Sequence, residues 1–155
     1  MAVKKVAFLA HYVRFKDKIY SYFWYRTGMQ KELAEDLTQE IFLKAWNKFS
    51  TFDTNQSFQA WIYRIAHNHL VDYYRGRKVE LGEEELINHG VSDKQSWQLW
   101  QMLDELPEEE RELVSLKYLQ GFSYREIAEI LETTEGSARV TVHRIMKKLQ
   151  AKHQD

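Results

Sequence analysis

The sequence predicts an all-α protein: two small helical domains joined by an acidic linker, the C-terminal one carrying a helix-turn-helix. Three observations predict this. A single proline and six glycines in 155 residues leave long stretches without a helix breaker, and those stretches carry apolar residues at three-and-four spacing. From Val79 to Asp93 there are five acids (Glu80, Glu83, Glu84, Glu85, Asp93) and no Lys or Arg, with Gly82, Gly90 and little periodicity, which reads as a linker. From Ser123 to Leu149 two short amphipathic patterns flank a polar turn. The domains so delimited are 1–78 and 95–155, with the linker at 79–94.

Taken in order, Val6 to about Arg26 carries Phe8, Leu9, Tyr12, Phe15, Ile19, Tyr20, Phe23 and Trp24 at helical spacing. This is a core helix with at most a rim that meets something else, because an aromatic stripe is far more often packing than a ligand site. From about Gln30 to Asn47 a second helix buries Leu33, Ala34, Leu37, Ile41 and Ala45 along one side. Opposite them Asp36, Gln39, Glu40 and Leu43 fall at i, i+3, i+4 and i+7, an organised face that is acidic and amide-bearing with a leucine in it. Charged faces are the default exterior of helices, so on the residues alone this is a solvated surface before it is a site.

Ser50 to Ser57 is rich in turn formers and closes on Ser57, a cap for the next helix. From Phe58 to Arg75 there are two apolar-aromatic stripes, Phe58, Ile62, Ile65, His69 and Tyr73 on one side and Tyr63, His67, Val71 and Tyr74 nearly opposite. Arg64, Arg75, Arg77 and Lys78 flank the second. Rings that stack on unpaired bases, interleaved with cations that follow the backbone, are the equipment for holding single-stranded nucleic acid. A helix sandwiched in a protein core carries the same aromatics, and the pattern leaves both readings open. His67, His69 and Asp72 do not predict a metal: residues two apart on a helix point about 200° apart, so the two imidazoles cannot share an ion.

Beyond the linker, Ser92 caps a helix through Leu103 with Trp97, Trp100 and Leu103 buried. Pro107 suits the first turn of the next helix, where its missing N–H is not needed, and Gly121 suits a left-handed position after Gln120. Leu113, Val114, Leu116, Tyr118 and Leu119 give that segment its apolar side. Ser123 and Glu126 then have the spacing of a capping box, opening a helix with Tyr124, Ile127, Ala128 and Leu131 on one stripe. Glu132-Thr133-Thr134 is the turn, and Thr134 caps a last helix whose apolar stripe is Ala138, Val142, Ile145 and Leu149. That stripe leaves Ser137, Arg139, Val140, Thr141, His143, Arg144, Lys147 and Lys148 outward. In a helix-turn-helix the second helix enters the major groove, so Ser137, Arg139, Val140 and His143 are the candidates for base contact, with Arg144, Lys147 and Lys148 mainly on phosphates. The plainer alternative is a helical hairpin with a solvated basic face.

The whole chain narrows the function classes. Without cysteine there are no disulfides, thiolate metal sites or cysteine nucleophiles, which fits a reducing compartment. No apolar run approaches the roughly 18 residues of a membrane span. The start, Met1-Ala2-Val3-Lys4-Lys5, lacks a signal peptide's apolar core, so a cytoplasmic protein without membrane insertion is expected. No nucleophile or metal constellation stands at usable spacing, so an enzyme is not expected and no cofactor is implied. The net charge of −1 hides an acidic middle and a basic end: Glu135 to Lys152 holds five bases and one acid.

Together these residues resemble a bacterial RNA polymerase sigma factor of the extracytoplasmic-function (ECF) type. Asp36-Leu37-Thr38-Gln39-Glu40-Ile41-Phe42-Leu43-Lys44-Ala45-Trp46 looks like the family's polymerase-binding segment. Phe58 through Tyr74, with Trp61-Ile62-Tyr63-Arg64-Ile65-Ala66 inside it, looks like the promoter-melting segment, and Leu103-Asp104-Glu105-Leu106-Pro107 onward, with Tyr118 to Ala128, looks like the domain that reads the −35 element. The resemblance implies that Asp36, Gln39 and Glu40, with Leu43 on the same face, dock on the clamp helices of core RNA polymerase. It implies that the loop from Phe52 through Asn55 to Ser57, with Asn68, holds a base flipped from the −10 element. Trp61 would keep the strands apart, and Arg64, Arg75 and Arg77 would serve the same DNA. The acidic linker would thread toward the RNA path, and an anti-sigma factor is a further candidate partner. Two departures from the family pattern leave the −35 preference open: Glu132 stands where the family often has glycine, and Val140 and Thr141 replace polar or basic residues. A competing reading is a free-standing regulator with a helix-turn-helix of the quorum-sensing kind. It would bind promoter DNA without polymerase and leave the Asp36, Gln39, Glu40 face without a purpose.

Overall fold

The computed structural model describes residues 2–77, Gln98 and 101–152, and among these every regular element is helical. The chain divides into two compact units, Met1–Gly90 and Val91–Asp155. The expected linker, Ser92, Trp97 and Trp100 lie outside the described residues.

In the amino-terminal unit α1 (Ala2–Arg26), α2 (Lys31–Lys48) and α3 (Phe58–Arg77) pack on one another, with a single 3₁₀ turn, Phe49–Thr51, after α2. Phe8, Phe15, Ile19 and Phe23 of the α1 stripe are buried, but Tyr22 and Arg26 are buried with them, while Leu9 and Tyr12 are exposed. Between α1 and α2 the chain reverses through Gly28 and Met29, both left-handed (φ 69° and 62°), and the Met29 N–H closes on the Trp24 carbonyl at 2.8 Å. Burial of the Met29 side chain offsets a backbone conformation that only glycine adopts without strain. Along α2, Ala34, Leu37, Ile41 and Ala45 are buried as their spacing predicts, joined by Phe42, with Leu33 half-buried.

The two-stripe reading of α3 is corrected. The buried residues are Phe58, Ala60, Ile62, Tyr63, Ala66 and Leu70, one core face running between the two expected stripes. Tyr63 is core, and the Tyr74 hydroxyl donates to the Arg26 carbonyl, tying the end of α3 to the end of α1. The second stripe's aromatics are therefore packing, because α3 lies against both α1 and α2.

In the carboxy-terminal unit a helical turn at residues 101–104 leads to α4 (Glu108–Val114). Pro107 sits one residue ahead of its expected place, as the N-cap. Arg111 ties this corner, its guanidinium donating to the carbonyls of Leu103 and Leu106 at 2.9 Å each. After α4 the backbone widens into a π turn over Ser115–Leu119, closed by the Gln120 N–H on the Ser115 carbonyl at 2.9 Å. The wider turn rotates Tyr118, expected in the core, out to solvent, while Leu116 is fully buried. Gly121 takes the expected left-handed conformation (φ 76°).

The helix-turn-helix follows as α5 (Tyr124–Leu131) and α6 (Glu135–Lys152). Both halves of the capping box form: Glu126 N–H to Ser123 Oγ at 3.1 Å and Ser123 N–H to Glu126 Oε1 at 3.0 Å. Thr134 caps α6 by accepting from the Ser137 N–H at 3.1 Å. Ile127 and, unexpectedly, Ile130 form the buried side of α5; Tyr124, Ala128 and Leu131 are half-buried. Glu132, which ends α5, is left-handed (φ 55°, ψ 48°). An L residue there costs roughly 1–2 kcal/mol, which is why glycine is favoured at such a cap. Glu132→Gly is therefore expected to raise the unfolding free energy of this unit by about 1 kcal/mol, read as a higher melting temperature of the full chain.

Candidate functional site

The outer face of α2 carries Asp36, Gln39, Glu40 and Leu43, all exposed, Leu43 to 65%. Beside it α1 and α2 leave a cleft of about 520 Å³ lined by Leu9, Tyr12, Gln39, Phe42, Leu43 and Trp46, with Phe8 and Lys5. The exposed rim of α1 thus has a place: it walls an apolar cleft whose far side is the acidic-amide face. Glu40 is also tied to α3. His69 Nε2 lies 2.7 Å from Glu40 Oε2, and His69 Nδ1 lies 2.7 Å from Lys44 Nζ. Among the described residues no group of His, Asp and Glu is arranged to hold a metal ion.

The loop after α2 is shaped by side chains that do two jobs. Asp53 accepts from the Asn55 N–H at 3.0 Å, an Asx turn that leaves the Asn55 amide exposed, and Ser57 Oγ caps α3 through the Ala60 N–H at 3.2 Å. Phe52 is held in a cluster of rings, 4.9 Å from Trp61, 5.6 Å from Phe58 and 5.8 Å from Phe49, the last nearly parallel. The structure therefore brings Phe52 against Trp61. From Trp61 the α3 positions Arg64, Asn68 and Arg75 follow at i+3, i+7 and i+14, a single helix face. Trp61 and Arg64 are half-buried, Asn68 and Arg75 exposed; Arg77 closes the helix, and its side chain lies outside the described residues.

His11 of α1 supports this loop from behind. Its imidazole stacks on Phe58 with centroids 3.9 Å apart and planes 5° from parallel. Burial, with the nearby Arg14 charge, lowers its pKa below the ordinary 6.5. Below pH ~6.5 the unfolded chain takes up a proton that the folded ring resists, so the stability present above that pH is lost as pH falls through the lowered folded value. The urea midpoint of wild type relative to His11→Phe is expected to fall between pH 7.5 and pH 5.

On α6, Ser137, Arg139, Val140, His143, Arg144 and Lys147 are all exposed, Val140 to 65%, while Ala138, Val142, Ile145 and Leu149 are buried. Thr141 is half-buried. Arg139 is oriented by two neighbours that sequence spacing alone did not single out: Glu135 at 2.9 Å and the Tyr124 ring, 5.2 Å from the guanidinium. Lys117 lies over the same ring at 4.2 Å, so Tyr124 is faced by two cations. Burial and the neighbouring Tyr118 raise the Tyr124 pKa, with Arg139 opposing the shift. The phenol is neutral at physiological pH and its ring serves as a platform.

Residues 11–79 match the family Sigma-70 region 2, and residues 96–149 match Sigma-70, region 4. The chain is 32% identical to the ECF RNA polymerase sigma factor SigW of Bacillus subtilis (strain 168), over 91% of this chain and 86% of that protein. It is 34% identical to the ECF RNA polymerase sigma factor SigF of Caulobacter vibrioides (strain NA1000 / CB15N), over 85% and 77%. The fold is similar to that of CnrH in complex with the cytosolic domain of CnrY (TM-score 0.74, 24% identity, 95% of this chain and 87% of that one). It is equally similar to the sigma factor RpoE in complex with the anti-sigma factor NepR from Bartonella quintana (TM-score 0.74, 24% identity, 96% and 99%). The chain belongs to the ECF RNA polymerase sigma factors.

Proposed function

We infer that the chain works as its family does: it binds core RNA polymerase and directs it to initiate transcription at particular promoters. The observation that carries this is the match to region 2 and region 4 in that order, on a chain whose candidate contact faces stand outside both cores. Residues 1–78 grip polymerase through Asp36, Gln39, Glu40 and Leu43. They open and hold the −10 element through Phe52, Asn55, Ser57, Trp61, Arg64, Asn68, Arg75 and Arg77. A captured base stabilises melting because its unstacking cost is offset by stacking and edge contacts in the protein. Residues 79–94 are an acidic tether. Residues 95–155 read the −35 duplex with Ser137, Arg139, Val140 and His143 on base edges, Val140 being suited to a thymine methyl, and Arg144 and Lys147 on phosphates. The chain acts in the cytoplasm, without catalysis or cofactor of its own, and an anti-sigma factor is a further candidate partner.

The test is run-off transcription with core polymerase on a genomic promoter library that includes the protein's own upstream region. Discrete start sites that require this chain are expected, together with poor promoter binding by the chain alone. Tight, specific DNA binding without polymerase would favour the free-standing regulator instead.

A further inference from the structure

The geometry points to His69 as a positioning residue for the polymerase-binding face, a role that rests on the assignment of Glu40 to that face. Glu40 and Lys44 lie four apart on α2, the spacing at which a carboxylate and an ammonium ordinarily pair directly. Here the His69 imidazole, reaching across from α3, is inserted between them with 2.7 Å to each. The Lys44 ammonium carries only donors, so Nδ1 must accept, which puts the ring proton on Nε2, where it is donated to Glu40 Oε2. The ring is enclosed, with 14% of its side-chain surface exposed, whereas Glu40 keeps 55%. One carboxylate oxygen is thus fixed by α3, and Oε1 takes no partner among the described residues.

His69 therefore keeps Glu40 from folding back onto Lys44 and presents its carboxylate in one orientation. It also links two proposed tasks, since the same turn of α3 carries Asn68 on the proposed DNA-facing stripe. Removing the imidazole lets Glu40 close on Lys44. Glutamine at the same place restores both contacts, because its carbonyl can accept from Lys44 and its amide can donate to Glu40.

The experiment measures the affinity of the full-length chain for core RNA polymerase in wild type, His69→Leu, His69→Gln, Glu40→Ala and the double variant His69→Leu with Glu40→Ala. Thermal unfolding of each verifies the fold. His69→Leu is expected to weaken binding roughly three- to tenfold, the scale of coupling between residues in direct hydrogen-bond contact, with no further loss in the Glu40→Ala background. His69→Gln is expected to stay within about twofold of wild type. A leucine effect that is undiminished without Glu40, a glutamine variant as weak as leucine, or unchanged binding in His69→Leu while Glu40→Ala binds weakly would each overturn the proposal. Unchanged binding in Glu40→Ala would remove the assignment of Glu40 to the polymerase face, and the proposal with it.

Discussion

Replacing Gln39 and Glu40 together with lysine is expected to reduce binding of the full chain to core RNA polymerase by about 100-fold or more. The magnitude follows from what the double change does. Both side chains are exposed on the outer face of α2, beside Asp36 and the apolar cleft at Leu43 and Tyr12. A partner surface complementary to that face is basic, and opposing like charges across an interface costs several kcal/mol. The fold should survive, because lysine is a good helix former and neither residue contributes to the core. The change removes one link, from the exposed Glu40 carboxylate to the largely enclosed His69 ring, so only a modest fall in melting temperature is expected. Equilibrium binding to labelled core polymerase, with thermal unfolding alongside, decides the matter: undiminished binding by the folded variant would remove this face from the interface. Leu43→Ala is the companion change, smaller in effect because it deletes one apolar contact and adds no repulsion.

How much of this could be read from the sequence depended on whether the determining interaction was local. The capping box at Ser123 and Glu126, the Thr134 cap and the buried stripe of α6 were legible, since each is decided by residues within one or two turns. The left-handed Gly121 was legible for the same reason. Composition could not decide which side of α3 faces inward, because aromatic residues stand all around it. Only the placement of α1 and α2 shows that Tyr63 is core while Trp61 meets the loop at Phe52. Tyr118 stands outside the core because a π turn shifts the helical phase of everything after Ser115, and that widening leaves no mark in the spacing of apolar residues. The bridge from His69 to Glu40 joins residues 29 apart, so the histidine pattern around Asn68 gave no hint of it. In the candidate site, the residue types were visible in advance, but what holds them in place was not.

Arg139→Ala is expected to weaken promoter binding by the holoenzyme roughly 10- to 100-fold, the worth of one good bidentate contact to a base edge. Arg139 sits near the start of α6, the part of a recognition helix that meets base edges. Its guanidinium is already ordered by Glu135 and by the Tyr124 ring, so little side-chain entropy remains to be lost when it engages a base. The exposed pair with Glu135 is no obstacle, since such i,i+4 pairs contribute only about 0.3–0.5 kcal/mol and a base contact replaces them. If the ring is the platform, Tyr124→Phe should bind as wild type does and Tyr124→Leu should lose part of what Arg139→Ala loses. Lys147→Ala supplies the contrast: a phosphate contact should weaken binding to every promoter alike and lower the salt slope by about one. The readout is binding to a set of promoters that differ only in the −35 element, at two salt concentrations. Arg139→Ala should lose discrimination at one position of that element, with Lys147→Ala leaving the ranking of promoters intact. An Arg139 variant that weakens all promoters equally would make this arginine a phosphate contact and pass the reading of bases to Ser137, Val140 and His143.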